Sequence, residues 1–291
     1  MSIKTFGIMA NPKRKQTADA IMRIRDWLFS HNITCYLDEN LSGIVKDGCN
    51  FLSRVDLVRE ADCIVTLGGD GTLLTTARVV GDSGVPILGI NLGSLGFLTQ
   101  QSEKALIESL ERVLSGDFGI EKRMILSATA DPPVDSNRVY ALNDLVVDRG
   151  SLSRLIVIHL YADGDYVSSY RADGLIISTP TGSTAYNLAA GGPIVYPTMD
   201  AILISPICPH SLTLRPMVLS GGSMLNLEVD SPHGEASLTA DGQTVYPLEK
   251  GHKIMIKAAD FYVNLIRFSD SSFFDVLRRK LNMGRQPNIG I

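Results

Sequence analysis

An apolar run at residues 62–67, DCIVTL, passes without a spacer into GGDG and resumes at once as TLLTTARVV, residues 72–80. A buried strand that runs through glycines into a helix is part of a βαβ unit. Such units commit their strands to a parallel sheet covered by helices. The flanking segments repeat the alternation. Residues 3–10 predict a strand that ends in the turn Asn11-Pro12. Residues 17–30 predict a helix with Ala20, Ile21, Ile24, Trp27 and Leu28 on one face. Residues 33–37 and 85–90 predict further strands, and residues 56–61 and 102–114 further helices.

The texture changes after Gly116. Short runs rich in Val, Ile, Thr and Tyr recur at 124–130, 140–148, 155–161, 166–171, 174–179, 224–229, 236–240 and 253–258. Turn pairs Asp163-Gly164, Asp173-Gly174 and Asp241-Gly242 separate several of them. This spacing predicts a β-rich, sandwich-like domain. Residues 273–281 have helical spacing again. The expected organisation is α/β plus β: a Rossmann-like N-terminal domain with a parallel sheet over 1–115, a β-rich C-terminal domain over 116–267, and a segment 268–291 that packs back on the first.

Bulk properties exclude several classes. The 291 residues carry a formal net charge of −4, so no basic excess is available to neutralise nucleic-acid phosphates. Cys35, Cys49, Cys63 and Cys208 have no C-x-x-C spacing, and the five histidines have no metal-ligand spacing. No run approaches the roughly 18 apolar residues of a membrane-spanning helix. The N-terminus has its basic residues after a short apolar run, the reverse of a signal peptide. A soluble, cytoplasmic protein is expected, with no nucleic-acid or membrane partner.

Four stretches can carry chemistry. In LGGDGTLL, residues 67–74, backbone N–H groups and a helix N-terminus fall at the carboxyl end of a parallel strand, where phosphates are favoured. An acid there can hold a metal or take a proton from a hydroxyl, or Asp70 simply caps the helix. NLGSLGFLT, residues 91–99, supplies Gly93 and Gly96 at a neighbouring strand end, and two such turns on adjacent strands would build one crevice. RADGLIISTPTGSTAYNLAAGGPIVYP, residues 171–197, sets Ser178, Thr179, Thr181, Ser183 and Thr184 beside Tyr186, a surface suited to a polyhydroxylated ligand with an aromatic base. Its bland reading is a loop that satisfies its own backbone. LNDLVV and ADGQ contribute Asn143, Asp144 and Gln243, each of which alone reads as turn chemistry. Lys13-Arg14-Lys15 reads as a solvated patch or a phosphate contact.

In these motifs, taken in order and spacing over nearly the whole chain, the sequence resembles the bacterial NAD kinases. GGDG alone is shared with phosphofructokinases and lipid kinases; the stretch DGLIISTPTGSTAYNLAAGGP makes the match specific. The resemblance implies transfer of the ATP γ-phosphate to the 2′-hydroxyl of the adenosine ribose of NAD, giving NADP. It implies a divalent cation, usually magnesium, with no protein side chain assigned to it. It also implies a homodimer or homotetramer with NAD-site residues shared across an interface. Asp70 matches the family's catalytic acid. Asp70, Gly71, Asn143, Asp144, Arg154, Arg171, Asp173, Thr184, Ala185, Tyr186, Ala189 and Gln243 match NAD-binding positions, with Asp144 where many members carry Glu. Asn11, Gly68, Gly69, Gly71 and Thr72 match the ATP-phosphate region. A lipid or sugar kinase of the same superfamily and a non-catalytic NAD(P)-binding module are the alternatives. The hydroxyl-rich 178–184 stretch argues against a lipid acceptor, and the presence of Asp70 against a mere binding module.

Overall fold

A computed structural model of the chain describes residues 3–45, 48–133, 138–150, 155–231 and 236–283. The chain forms two compact units, Met1–Lys122 with Val263–Ile291, and Arg123–Tyr262.

The first unit comprises β1 (Thr5–Ala10), α1 (Thr17–Ser30), β2 (Thr34–Asp38), β3 (Asn50–Leu52), α2 (Arg54–Glu60), β4 (Cys63–Gly68), α3 (Asp70–Val80), β5 (Ile87–Asn91), β6 (Gln101–Ser102) and α4 (Leu106–Ser115). Strand order β3-β2-β1-β4-β5 makes a parallel sheet, with β6 parallel beside β5. All six residues of β4 are buried, as expected for a parallel strand covered on both faces. The apolar face predicted for α1 is the one that packs: Ala20, Ile21, Ile24 and Leu28 are inaccessible and join β1, β4 and β5 in one core. The strand order reverses direction at β1 and β4, so this is a Rossmann-like sheet whose switch point lies between them.

The second unit comprises β7 (Gly119–Asp131), β8 (Val139–Ala141), β9 (Asp144–Asp148), β10 (Ile156–Ala162), β11 (Asp165–Ala172), β12 (Gly174–Ser178), the short α5 (Tyr186–Ala189), β13 (Ala201–Ile207), β14 (Met217–Ser220), β15 (Leu225–Asp230), β16 (Ala236–Ala240), β17 (Thr244–Leu248) and most of β18 (Lys253–Arg267). One antiparallel sheet runs β14-β13-β12-β9-β16-β17. The other contains β11, β10, β15 and β18, with β7 pairing β18 and β8. Leu145, Val147, Leu175 and Ile204 of the first sheet meet Leu126, Ile158, Leu227 and Ile256 of the second in one core, which makes a sandwich. Helix α6 (Phe273–Leu281) belongs to the first unit. Ser272 caps it by accepting from the Asp275 N–H at 3.1 Å.

Three of the segments that differ from the sequence expectation bear on the site. The run 140–148 is two strands in different sheets, because the backbone N–H groups of Leu142, Asn143 and Asp144 bond the Asp241 carboxylate and not a neighbouring strand. The helix expected over 102–114 opens with a 3-10 turn, Glu103–Ala105, before α4. The helix expected from residue 72 starts at Asp70, with Gly69 as its N-cap.

Candidate active site

The carboxyl ends of β1 and β4 lie side by side at the switch point. Asn11 donates its backbone N–H to Leu67 O at 3.0 Å, and its side chain folds back to accept from the Lys13 N–H at 2.9 Å. The Asn11 turn and the Gly68–Gly69 turn therefore converge, together with Asp70, Gly71 and Thr72 in the first turn of α3. The third strand end joins them, since Leu92 N bonds Gly68 O at 3.0 Å.

The glycines here do different work. A Cβ on Gly68 would sit 2.2 Å from Thr72 Oγ1, so packing alone requires glycine there. A Cβ on Gly69 meets nothing within 4 Å. Gly69 thus has open space before it, which the protein itself does not need.

Asp70 does not cap its own helix. Its Oδ1 accepts from Leu98 N at 3.1 Å, Thr99 N at 3.0 Å and Thr99 Oγ1 at 3.0 Å, and its Oδ2 accepts from Phe97 N at 2.8 Å. The second glycine turn wraps the acid in a nest of consecutive N–H groups. Gly96 makes this possible, because a Cβ there would fall 1.9 Å from Asp70 Oδ1. Buried Asn91 completes the network: Nδ2 donates to Thr99 Oγ1 at 2.7 Å, and Oδ1 accepts from Gly93 N at 2.7 Å. The loop is braced from behind. Arg267 Nη1 donates to Leu98 O at 2.9 Å, and Gln100 links Phe97 O to the Ser271 hydroxyl. One oxygen of Asp70, Oδ2, carries a single bond in this network and retains acceptor capacity.

The second unit holds its own cluster. Asn143 and Asp144 precede and open β9. Asp144 is 4% exposed, and burial, then the nearby Asp241 charge, pushes its carboxyl up to about 7. Tyr186 is exposed on α5, and its phenol is raised by burial first and then by Asp148, Cys208, Asp173 and Asp144. Asp173 pairs with Arg149 Nε at 3.0 Å. Thr184 and Ala185 are half-buried beside Tyr186, and Ala189 is exposed at the end of α5. Gln243 is exposed in the turn that carries Asp241. Arg171 is exposed on β11 opposite Val157. Arg154 lies outside the described residues.

The hydroxyl-rich stretch is scaffold more than ligand surface, which corrects the expectation for Ser178, Thr179, Thr181 and Ser183. Thr179 Oγ1 donates to Leu142 O at 2.6 Å, and Ser178 Oγ to Thr179 O at 2.9 Å. Ser183 Oγ exchanges bonds with Val195 O and N, both at 3.1 Å. Thr181 Oγ1 accepts from buried Arg123 at 3.1 Å. Inaccessible Asn187 staples the loop closed, donating to Ser183 O and Pro193 O and accepting from Ser205 Oγ at 2.7 Å. The hydroxyls are buried, so they pair with the backbone they fold over. Sequence reasoning did not single out Asn91, Thr99, Arg149 or Asp241. Asn91 and Thr99 carried one signal, being polar residues inside an otherwise apolar or glycine-rich run.

Residues 6–118 match the model of the ATP-NAD kinase N-terminal domain, and residues 142–268 that of the ATP-NAD kinase C-terminal domain. The chain belongs to the NAD kinase family. A curated NAD kinase of Caldanaerobacter subterraneus subsp. tengcongensis is 41% identical over 96% of this chain and 99% of its own. One of Geotalea daltonii is 38% identical over 98% and 100%. Among solved structures, yeast NADH kinase complexed with NADH aligns with a TM-score of 0.90 at 27% identity, covering 100% of this chain and 91% of that one. An NAD kinase from Archaeoglobus fulgidus in complex with ATP aligns with a TM-score of 0.76 at 26% identity, covering 96% and 98%. The two-unit fold, a parallel sheet followed by a β-rich sandwich, is the NAD kinase fold.

Proposed function

We propose that this protein is an NAD kinase, which transfers the γ-phosphate of ATP to the 2′-hydroxyl of the adenosine ribose of NAD. The observation that carries the reading is Asp70, fixed by the N–H groups of residues 97–99 at the switch point of a parallel sheet, in a chain whose relatives are named NAD kinases. Those names do not favour a lipid or sugar kinase.

In the reaction, the bond from the γ-phosphorus to its bridging oxygen breaks and a bond to the ribose 2′-oxygen forms. Catalysis of this kind rests on positioning and charge neutralisation. The open space before Gly69 and the start of α3 receive phosphates, with Asn11, Gly68, Gly71 and Thr72 lining that end. Asp70 accepts a hydrogen bond from the 2′-hydroxyl on Oδ2 and takes its proton as the new bond forms. Its other bonds hold it in register for that contact. Asn143 and Asp144 bind the dinucleotide, joined by Arg171, Asp173, Thr184, Ala185, Tyr186, Ala189 and Gln243.

Among the described residues no three His, Cys, Asp or Glu side chains gather as a metal cage. Those residues therefore do not fit a dedicated cation site. Magnesium characteristically keeps waters and substrate phosphates as ligands, so a divalent cation would come with ATP. Among the same residues no helix is long and apolar enough to cross a membrane, which suits a cytoplasmic enzyme. The exposed Tyr186 suits a homodimer or homotetramer in which α5 faces a second copy.

The test is direct: purified protein with ATP, magnesium and NAD, with NADP as the product measured. Tight NAD binding without NADP would instead identify a binding module. Phosphorylation of a lipid but not of NAD would overturn the reading.

A further inference from the structure

Leu142 and Asn143 lie between β8 and β9 and Asp144 opens β9, and all of their backbone polar groups are engaged. Asp241 Oδ1 accepts from Asn143 N at 2.7 Å and Asp144 N at 3.3 Å, and its Oδ2 accepts from Leu142 N at 3.1 Å. On the carbonyl side, Thr179 Oγ1 and the Thr179 N–H bond Leu142 O and Asn143 O at 2.6 and 2.8 Å. Asp144 O accepts from Asp241 N at 2.9 Å. The side chains of Asn143 and Asp144, by contrast, make no hydrogen bond among the described residues. Backbone spent on scaffolding and side chains left available describe a pair held ready for something else.

Asp241 is held in an unusual conformation to do this. Its φ is +52°, in the left-handed region, and Gly242 follows at +62°. Aspartate tolerates that region better than most side chains, but it is not its preferred one. The hairpin between β16 and β17 would close with glycine or asparagine at position 241 as well. The carboxylate, however, reaches 97 to 99 residues back along the chain. The turn alone does not explain its presence.

We propose that Asp241 is the positioning residue of the acceptor-binding pair: its carboxylate clamps three successive N–H groups and so aims the free side chains of Asn143 and Asp144 at the dinucleotide. This deepens the NAD kinase reading and rests on it. The arrangement repeats within the second unit what Asp70 receives in the first, a carboxylate nested by three consecutive amides. The difference is that Asp241 faces the loop that presents the ligands. Charge-assisted bonds to backbone amides are among the stronger ones available, and removing them frees a loop rather than a side chain. Binding groups on a loop lose affinity when the loop must be ordered afresh for each ligand.

Two variants separate positioning from general stability. Asp241→Gly keeps a residue at ease with positive φ and deletes the carboxylate. Asp241→Asn keeps one acceptor for Asn143 and Asp144 but presents an amide N–H₂ to the Leu142 N–H. Steady-state kinetics are normalised to folded protein and compared with Asn143→Ala in parallel. The expected result for Asp241→Gly is an NAD KM raised about tenfold or more, an ATP KM changed less than about twofold, and a smaller change in kcat. Asp241→Asn should fall between it and the wild type. Combining Asp241→Gly with Asn143→Ala should raise the NAD KM little beyond the larger single effect, because both act on one contact. If Asn143→Ala raises the NAD KM and Asp241→Gly does not, the positioning role is wrong while the kinase reading stands. Equal loss for ATP and NAD would also overturn it, as a purely structural effect. An unchanged NAD KM in Asn143→Ala would sink the assignment of the pair, and with it this inference.

Discussion

Thr99 donates both its backbone N–H and its hydroxyl to the same oxygen of Asp70, at 3.0 Å each. The acid of the first glycine turn is therefore positioned by the second, and the two turns form one device. A carboxylate gripped in this way can meet a hydroxyl without first being reorganised.

Asp70→Asn should lower kcat by at least about 10²-fold and leave NAD affinity nearly unchanged, since the base contributes chiefly after binding. In either orientation the amide turns its N–H₂ on a backbone N–H, that of Phe97 or those of Leu98 and Thr99, so some loss of Tm should accompany it. Rapid-quench turnover and equilibrium NAD binding measure the two quantities. Turnover near wild type would remove Asp70 as the base.

Gly69→Ala and Gly96→Ala should part company. A Cβ at Gly69 meets no protein atom within 4 Å, so stability should change by less than about 1 kcal/mol while the ATP KM rises. A Cβ at Gly96 displaces Asp70, so that variant should lose kcat even where it folds. Urea melts and ATP titrations of both decide the point, and an unchanged ATP KM in Gly69→Ala would show that phosphates do not approach there.

Asp144 makes stability depend on pH. Its carboxyl in the folded protein is raised to about 7 from an ordinary 3.8, by burial first and Asp241 second. Below about pH 4 both folded and unfolded chains carry the proton and no penalty exists. As pH rises toward about 7 the unfolded chain releases its proton while the folded one retains it, so the free energy of unfolding falls. Asp144→Asn should remove this dependence and gain on wild type from pH 5 to pH 8, by a few kcal/mol at most. Urea midpoints at the two pH values test the sign.

Asn187→Leu should destabilise the second unit by about 2–4 kcal/mol, because it leaves the Ser205 hydroxyl and the Pro193 and Ser183 carbonyls without their partner. Thermal denaturation reads the loss. A variant as stable as wild type would mean that the glycine-rich loop closes without its staple.

The alternation of β4, α3 and β5 was legible because parallel strands buried on both faces are continuous apolar runs, and their glycine turns punctuate them sharply. β13 was not legible. Its run AILISPI contains Pro206, which reads against a central strand, yet β13 lies between β12 and β14 with Pro206 opposite Leu175. The hydroxyls of 178–183 were legible as polar and illegible as buried, since composition does not say which way a loop folds over itself.

Sequence alone determined most of the elements, the two textures of the chain and the family, because periodicity, turn residues and motif order are local properties of the polymer. Tertiary structure alone decided which partners the acids take. Asp70 takes its partners 27 to 29 residues away, and Asp241 takes its own 97 to 99 residues away. A hydrogen bond depends on distance in space, and only the folded sheet and sandwich bring those amides within 3 Å or so of a carboxylate.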